Sequence, residues 1–351
     1  MKILYITDLS DRKANGVSVA VSQLLNSICH FADVTWLNLN DSKFDIDDKV
    51  KRVTLNDYIN NHPDIAVFED PFNTVRYCRI ASRLKKEGIP YVLSPHGCFH
   101  KTALKRRWLK KIIAINTILR PYLKGCVATQ YLTENEKNNS YGENESLIIP
   151  NGIIDKGHYR IRKKAQKLFF IGRKAKYNKG LDLLLEACRD IKIELREHSV
   201  QINIYGSIES ETDELYINRT IVEYGLEGIV SNYGPIFGEE KDKVLYEGDV
   251  FIQMSRHEGF PMSILEAFTY GCPVGITEGT NVGPIVNDKS AGWVCSSSTA
   301  AIKKMLIDII SSSPKEISQK SKNARQLTDL FSWQKVCQKT IEEYEKLVGR
   351  E

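Results

Sequence analysis

Two doubly wound parallel α/β sheets, one after the other along the chain, are the architecture this sequence predicts. Three observations lead there. Strand-forming runs alternate with helical patterns in both halves, as βαβ units require. The alternation breaks once, over the weakly apolar, Gly- and Lys/Arg-containing stretch Asn151 to Lys164, and then restarts at Lys167-Leu-Phe-Phe-Ile-Gly172. The strand runs are β-rich, as expected of parallel sheets covered on both faces.

Strands are expected over 2–7, 33–38, 64–69, 89–94, 125–129 and 146–149, with helical segments between most of them. A second series follows at 167–172, 200–205, 229–233, 249–254, 273–277 and 291–295. A last amphipathic helix runs from about Ser332 to Val348 through Trp333, Val336, Ile341, Tyr344 and Leu347. The division read from this is a domain over 1–160, a second over 161–331, and a C-terminal helix over 332–351 that packs back toward the first. Ligands of such sheets bind at the carboxyl ends of the strands, so two facing sheets would hold one in the cleft between them.

Length and composition narrow the class. The chain has 351 residues, of which 42% are hydrophobic and 26% charged, sufficient for two substantial cores. No apolar run approaches the roughly 20 residues that span a bilayer. Met1-Lys-Ile-Leu-Tyr-Ile-Thr-Asp8 reads as a first strand rather than a signal peptide. The eight cysteines are scattered without a C-x-x-C pair, so reduced thiols in a cytosolic protein are expected rather than a disulfide or zinc framework.

The net charge of +5 is mild but unevenly spread. Between Lys101 and Lys124 lie eight basic residues and no acid: Lys101, Lys105, Arg106, Arg107, Lys110, Lys111, Arg120 and Lys124. Leu104, Trp108, Leu109, Ile112, Ile113, Ile115 and Ile118 interleave with them. This is a basic amphipathic helix suited to an anionic membrane surface, the competing reading being a solvated face over the core. No nucleic-acid motif accompanies the charge.

The densest functional signal is Ser255-Arg-His-Glu-Gly-Phe-Pro-Met-Ser-Ile-Leu-Glu-Ala267. Pro261 suits the first position of a helix. Glu258 then lies in the preceding loop and Glu266 about one and a half turns inside. The N–H groups at the helix start attract phosphate, and flanking carboxylates accept hydroxyl hydrogens. Phosphate plus several hydroxyls describes a nucleotide sugar. Four other places bear on the cleft. Asn15-Gly16 opens a helix after the first strand. His96, in Ser94-Pro-His-Gly97, ends the fourth strand, with His100 as a weaker substitute. Gly172-Arg173 and Lys179-Gly180 would aim two fixed cations at a diphosphate. Gly206 and Gly234 follow Tyr205 and Tyr233, where a nucleoside could press on backbone. The Asp45-Ile-Asp47 triplet reads as a solvated loop. His257 lacks the ligand spacing of a metal site.

With these residues assembled, the chain resembles, nearly end to end, the retaining GT-B glycosyltransferases of family GT4. The resemblance rests on Glu258 and Glu266 as an E-x7-E motif inside Ser255…Val274, with support from Gly172-Arg173, Lys179-Gly180, Pro150-Asn-Gly152, Tyr205-Gly206 and Ala291-Gly-Trp293. Pro-His-Gly followed by a basic stretch is similar to bacterial members that build capsule, exopolysaccharide or O-antigen. The resemblance implies that the first domain binds the acceptor and the second the nucleotide sugar. It implies that Arg173 and Lys179 hold the donor diphosphate, Glu258 the sugar hydroxyls and Glu266 the ribose. Backbone around Gly259, Phe260, Met262 and Ser263 would meet phosphate or sugar, and His96 would lie near the reacting carbon. Two places depart from the family: Asn15-Gly16 replaces a Gly-Gly pair, and Glu278-Gly-Thr-Asn-Val-Gly-Pro284 lacks Gly-Gly ahead of an acid.

The expectation is a hexosyl- or N-acetylhexosaminyltransferase that needs no metal or other cofactor, with a UDP-sugar favoured over a GDP-sugar. Its acceptor would be a glycan, carried on polyprenyl diphosphate at the inner face of the cell membrane. Lys105, Arg106, Arg107, Trp108, Lys110 and Lys111 would face that surface. No nucleic-acid partner is expected. A sugar-nucleotide epimerase of similar fold and a catalytically silent glycan- or lipid-binding subunit remain as alternatives.

Overall fold

The computed structural model describes residues 1–9, 16–40, 42, 44–70, 75–101, 115, 117, 119–142 and 144–349. The chain divides into two compact units, Met1–Gly152 with Phe331–Glu351, and Ile153–Leu330.

The first unit holds β1 (Lys2–Thr7), β2 (Asp33–Asn38), β3 (Lys51–Arg52), β4 (Ile65–Glu69), β5 (Tyr91–Ser94), β6 (Ala128–Tyr131) and β7 (Glu145–Ile148). They pair in the order β3-β2-β1-β4-β5-β6-β7, all parallel. The second unit holds β8 (Lys167–Ile171), β9 (Gln201–Tyr205), β10 (Val230–Tyr233), β11 (Val250–Gln253), β12 (Val274–Thr277) and β13 (Gly292–Cys295). Their order is β10-β9-β8-β11-β12-β13, again all parallel. In each sheet the chain starts at the centre, winds outward, then returns to wind the other way. The reversal falls between β1 and β4 in one unit and between β8 and β11 in the other. Connections leave in opposite directions there, which opens a crevice at the strands' carboxyl ends.

Side-chain alternation sorts the first unit's strands onto two faces. Ile3 and Tyr5 join Val34, Trp36, Val67 and the helix Gly16–Ile28 in one core. Leu4 and Ile6 join Ala66, Phe68 and Leu93 in the other. The final helix, Trp333–Val348, belongs to this unit, burying Trp333, Val336, Cys337 and Tyr344 in the first core. Tyr344 donates to Gln130 at 2.6 Å. Gly152 passes so close that a Cβ there would lie 2.3 Å from the Trp333 ring.

Two expected boundaries change. The segment to Lys164 is no free linker, and the first unit stops at Gly152 rather than at residue 160. Arg160 and Arg162 explain this, because both donate to carbonyls ending the helix Gly238–Glu247. Arg160 reaches Tyr246 and Glu247 O at 2.7 Å each, and the fully buried Arg162 reaches Leu245 O at 2.7 Å and Gly248 O at 3.1 Å. Cations are favoured at a helix C-terminus. Next, β6 starts at Ala128 rather than 125, because Gly125 closes the helix Arg120–Lys124 with its N–H on Pro121 O at 3.0 Å. The two-residue β3 carries no pattern long enough to read. Most of the basic segment, including Lys105, Arg106, Arg107, Trp108, Lys110 and Lys111, lies outside the described residues. Of its described apolar positions, Ile115 is buried in the core.

One backbone position controls the second unit's crevice. Gly180 has φ +63 and caps the helix Leu181–Asp190. A Cβ there would lie 1.9 Å from the Met254 carbonyl oxygen, so the turn carrying Lys179 is pressed against the end of β11. Left-handed backbone costs a side-chain-bearing residue about 1–2 kcal/mol before any clash. Gly180→Ala is therefore expected to destabilise the protein by about 2 kcal/mol or more in urea denaturation. A loss below about 0.5 kcal/mol would contradict this close approach.

Candidate functional site

The end of β11 and the turn after β8 build one site in the second unit. Gln253 closes an otherwise apolar strand, and Ser255 follows it; both are buried. Glu258 lies in the next loop. Its Oε1 accepts from Lys179 Nζ at 2.5 Å, Ser255 Oγ at 2.6 Å and Gln253 Nε2 at 2.9 Å. Among the described residues nothing donates to Oε2. The Lys179 and Glu258 side chains are only 16% and 14% exposed. The result is a carboxylate held in one orientation, with one oxygen left to accept hydrogen bonds.

The loop is fixed from outside. Glu258 N donates to Gly279 O at 2.8 Å. Asn281 Nδ2 bonds the carbonyls of Glu258 and Gly259, the latter at 3.2 Å. A Cβ at Gly279 would lie 2.3 Å from Ser255 O, so only glycine fits. The segment Glu278–Pro284, which departs from the family pattern, is thus the clamp on Glu258. Arg256 forks onto both Asp182 oxygens at 2.7 and 2.8 Å and covers the Tyr177 ring at 4.1 Å. Sequence reading missed Gln253, Asn281 and the Arg256–Asp182 fork. The one available signal was a glutamine ending the run Val-Phe-Ile-Gln.

Pro261 is the N-cap of the helix Met262–Thr269, not its first residue. Glu266 consequently sits one turn in rather than one and a half. Ser263 donates to Gln253 Oε1 at 3.2 Å, tying the helix start to the Glu258 network. The N–H groups of Met262 and Ser263 belong to the first turn, which has no intrahelical acceptors for them. Glu266 meets Lys241 at 2.7 Å, a partner sequence reading did not anticipate. Tyr205 and Tyr233 are cross-strand neighbours whose rings stack at 4.8 Å.

The two expected cations separate. Lys179 joins Glu258, whereas Arg173 is half exposed and pairs with Glu209 at 2.8 Å. Lys174, which looks like surface in sequence, is buried, with Nζ on Glu214, Asn232 Oδ1 and Tyr233 O at 2.9, 3.0 and 3.0 Å. Gly206 is glycine for the protein's own sake: a Cβ would lie 1.7 Å from Gly172 O. Added Cβ atoms at Gly16 and Gly234 would touch nothing within 4 Å. Asn15 lies outside the described residues.

In the first unit, His96 follows β5 and meets Glu69, the last residue of β4, at 2.5 Å. Both side chains are almost entirely out of water. Burial alone would lower the His96 pKa. The carboxylates of Glu69, then Glu136 and Asp70, more than offset this, and the imidazole ends above its ordinary value. His100 is buried and bridges to Ser140. The Asp45–Asp47 loop is not simply solvated. Asn26 bonds Asp45 O and Asp47 N at 3.1 and 2.9 Å, and Asp47 pairs with His30 at 3.5 Å. Cys29, His30 and Asp47 bring ligand atoms within 4.8 Å of one another. Lys49 Nζ, 2.9 Å from His30 Nδ1, already supplies positive charge there.

Residues 154–327 match the family described as glycosyl transferases group 1. A relative, the MMP alpha-(1->4)-mannosyltransferase of Mycolicibacterium hassiacum, is 25% identical over 49% of this chain and 41% of its own length. The amylovoran biosynthesis glycosyltransferase AmsK of Erwinia amylovora is 29% identical over 33% of this chain and 29% of its own. The chain thus spans less than half the length of either. Among solved structures, HepE of Anabaena, in complex with UDP and glucose, superposes with TM-score 0.74 at 14% identity, covering 99% of this chain and all of that one. WaaG, a glycosyltransferase involved in lipopolysaccharide biosynthesis, gives 0.72 at 14% identity over 99% of this chain and all of its own. At these identities the likeness establishes the GT-B fold. Among the described residues no helix is long and apolar enough to cross a membrane.

The raised His96 pKa carries a pH dependence. Its stabilising contribution is complete below the unfolded value of about 6.5 and fades as pH rises through the higher native value. Urea midpoints of wild type and His96→Gln should therefore differ most below that range and converge above it. A difference that is constant or grows with pH would contradict the charged pair.

Proposed function

We propose, from the match of residues 154–327 to the glycosyl transferases group 1, that the chain transfers a sugar from a nucleotide-sugar donor to a glycan acceptor in surface-polysaccharide synthesis. The observation that carries this reading is Glu258: three donors converge on one oxygen, and the other is left for sugar hydroxyls. Glu266, at the start of a helix whose first N–H groups suit phosphate, accepts from the ribose. Lys179 and Arg173 meet the diphosphate as charge grows on it in the transition state, which is where fixed cations lower a barrier. Entry of the diphosphate draws Lys179 partly from Glu258 and Arg173 from Glu209.

The transfer proceeds with retention. The acceptor hydroxyl attacks the anomeric carbon on the face from which the diphosphate leaves, and the leaving phosphate takes the hydroxyl proton. The cations replace a metal. UDP-sugar is favoured over GDP-sugar, in keeping with a structural neighbour solved with UDP and glucose. The test is calorimetry with UDP in the presence of excess chelator, alongside transfer assays. Glu258→Gln should lower kcat about 10²-fold or more and leave UDP affinity nearly unchanged. Glu266→Gln should weaken UDP itself about tenfold. Equal losses in both variants would end this division of labour, and UDP binding or transfer that needs added magnesium or manganese would end the metal-free reading.

The acceptor is proposed to ride on polyprenyl diphosphate, with the protein peripheral at the cytoplasmic face of the membrane. The support is the basic, apolar-interleaved sequence around Lys105, Arg106, Arg107, Trp108, Lys110 and Lys111. Each basic residue near an anionic leaflet contributes about 1 kcal/mol, screened by salt. Wild type should co-sediment with vesicles containing anionic lipid at low salt. Reversing Lys105, Arg106 and Lys110 to Glu should abolish this while sparing transfer to a short soluble acceptor. Equal pelleting of the two proteins would contradict it.

A further inference from the structure

The carboxyl end of β4 gathers groups that the donor chemistry of the second unit does not use. Glu69 is fully buried, and its Oε2 lies 2.5 Å from His96 Nε2. Its other oxygen, Oε1, is buried with no hydrogen-bond partner among the described residues. Ser94 Oγ lies 3.3 Å from the same imidazole nitrogen. His96 itself is held at φ +47, a region few residues other than glycine occupy. The loop is braced by the buried Glu136, which accepts from Gly97 N at 2.6 Å and from Leu132 N at 2.7 Å. A buried ion pair is a weak stabiliser, an orphaned carboxylate oxygen is a cost, and strained backbone persists only where surroundings enforce it. Three such costs at one strand end mark a functional device.

We propose that Glu69 is a positioning residue for His96: by committing Nε2 it fixes the orientation and charge of the imidazole and leaves Nδ1 to bond a hydroxyl of the reacting sugar or acceptor. This deepens the glycosyltransferase reading and rests on it. Glu69 from β4, Asp70 from the turn after it, Glu136 from the helix Glu134–Asn138 and Ser94 from β5 face the ring. Asp8, Tyr77 and Cys98 stand beside Asp70. The net effect of these groups is the raised imidazole pKa described above.

The pair is testable by NMR titration of histidine-labelled protein, the His96 signal being identified by its loss in His96→Gln. In the wild type His96 should titrate above the ordinary value of about 6.5. Glu69→Gln should lower that midpoint by about one unit or more and reduce kcat about tenfold or more, with donor KM little changed. Glu69→Asp, which keeps the charge, should recover part of both. A wild-type His96 that titrates at or below its ordinary value overturns the proposal, even if no Glu69 variant folds. So does a Glu69→Gln protein with unchanged titration or full kcat. If the wild type neither transfers nor hydrolyses any nucleotide sugar, the glycosyltransferase reading fails separately, and the titration alone still decides the pair.

Discussion

Lys179 and Glu258 meet at 2.5 Å with most of both side chains out of water. Removing one partner of such a pair leaves the other charge uncompensated, at a cost of about 3–5 kcal/mol when fully buried. Several residues of the second unit hold this contact in place. Gly180 lets the lysine's turn press on β11, Gly279 lets the following loop press on Ser255 and Arg256, and Asn281 ties down the carbonyls beside the glutamate. Gln253 and Ser255 then crowd the same carboxylate oxygen. The asymmetry that results is one carboxylate oxygen saturated and one left open to accept hydrogen bonds.

The two units use the same topology for different chemistry. Each sheet reverses direction beside its first strand, and charged residues collect at carboxyl ends near that point. In the second unit the collection is cationic and partly wet: Lys179, Arg173 and Lys241, each already paired with a carboxylate. Such pairs trade partners readily when an anionic ligand arrives. In the first unit the collection is acidic and dry, with Glu69, Asp70 and Glu136 around one imidazole. That cluster suits holding a charge state rather than exchanging it.

The fold was legible because its periodicity is local. The described strands other than β3, the restart at Lys167 and the last helix follow from apolar patterning, which registers within a few residues. The boundary at Gly152 was not, since it depends on Arg160 and Arg162 reaching helix carbonyls about 85 positions away. The site was legible as residue types and not as partnerships. Glu258, Glu266, Lys179 and His96 stand out at strand and helix ends. Their partners Gln253, Lys241 and Glu69 look, in sequence, like the polar edge of an apolar run or one lysine among many. Lys174 shows the same limit in reverse: a lysine in a basic loop that proves to be a buried strut between Glu214, Asn232 and Tyr233. Long-range pairing decides these cases, and nothing in the neighbouring residues records it.

The central claim is that the open oxygen of Glu258 receives the donor sugar. It is tested most directly by a crystal structure of this protein with its tightest-binding nucleotide sugar intact in the site. The account predicts a sugar hydroxyl within hydrogen-bonding distance of Glu258 Oε2, with Ser255 and Gln253 still on Oε1 and the diphosphate beside Lys179. A bound sugar nucleotide whose hydroxyls are all remote from Glu258, with the Lys179–Glu258 pair undisturbed, would contradict it.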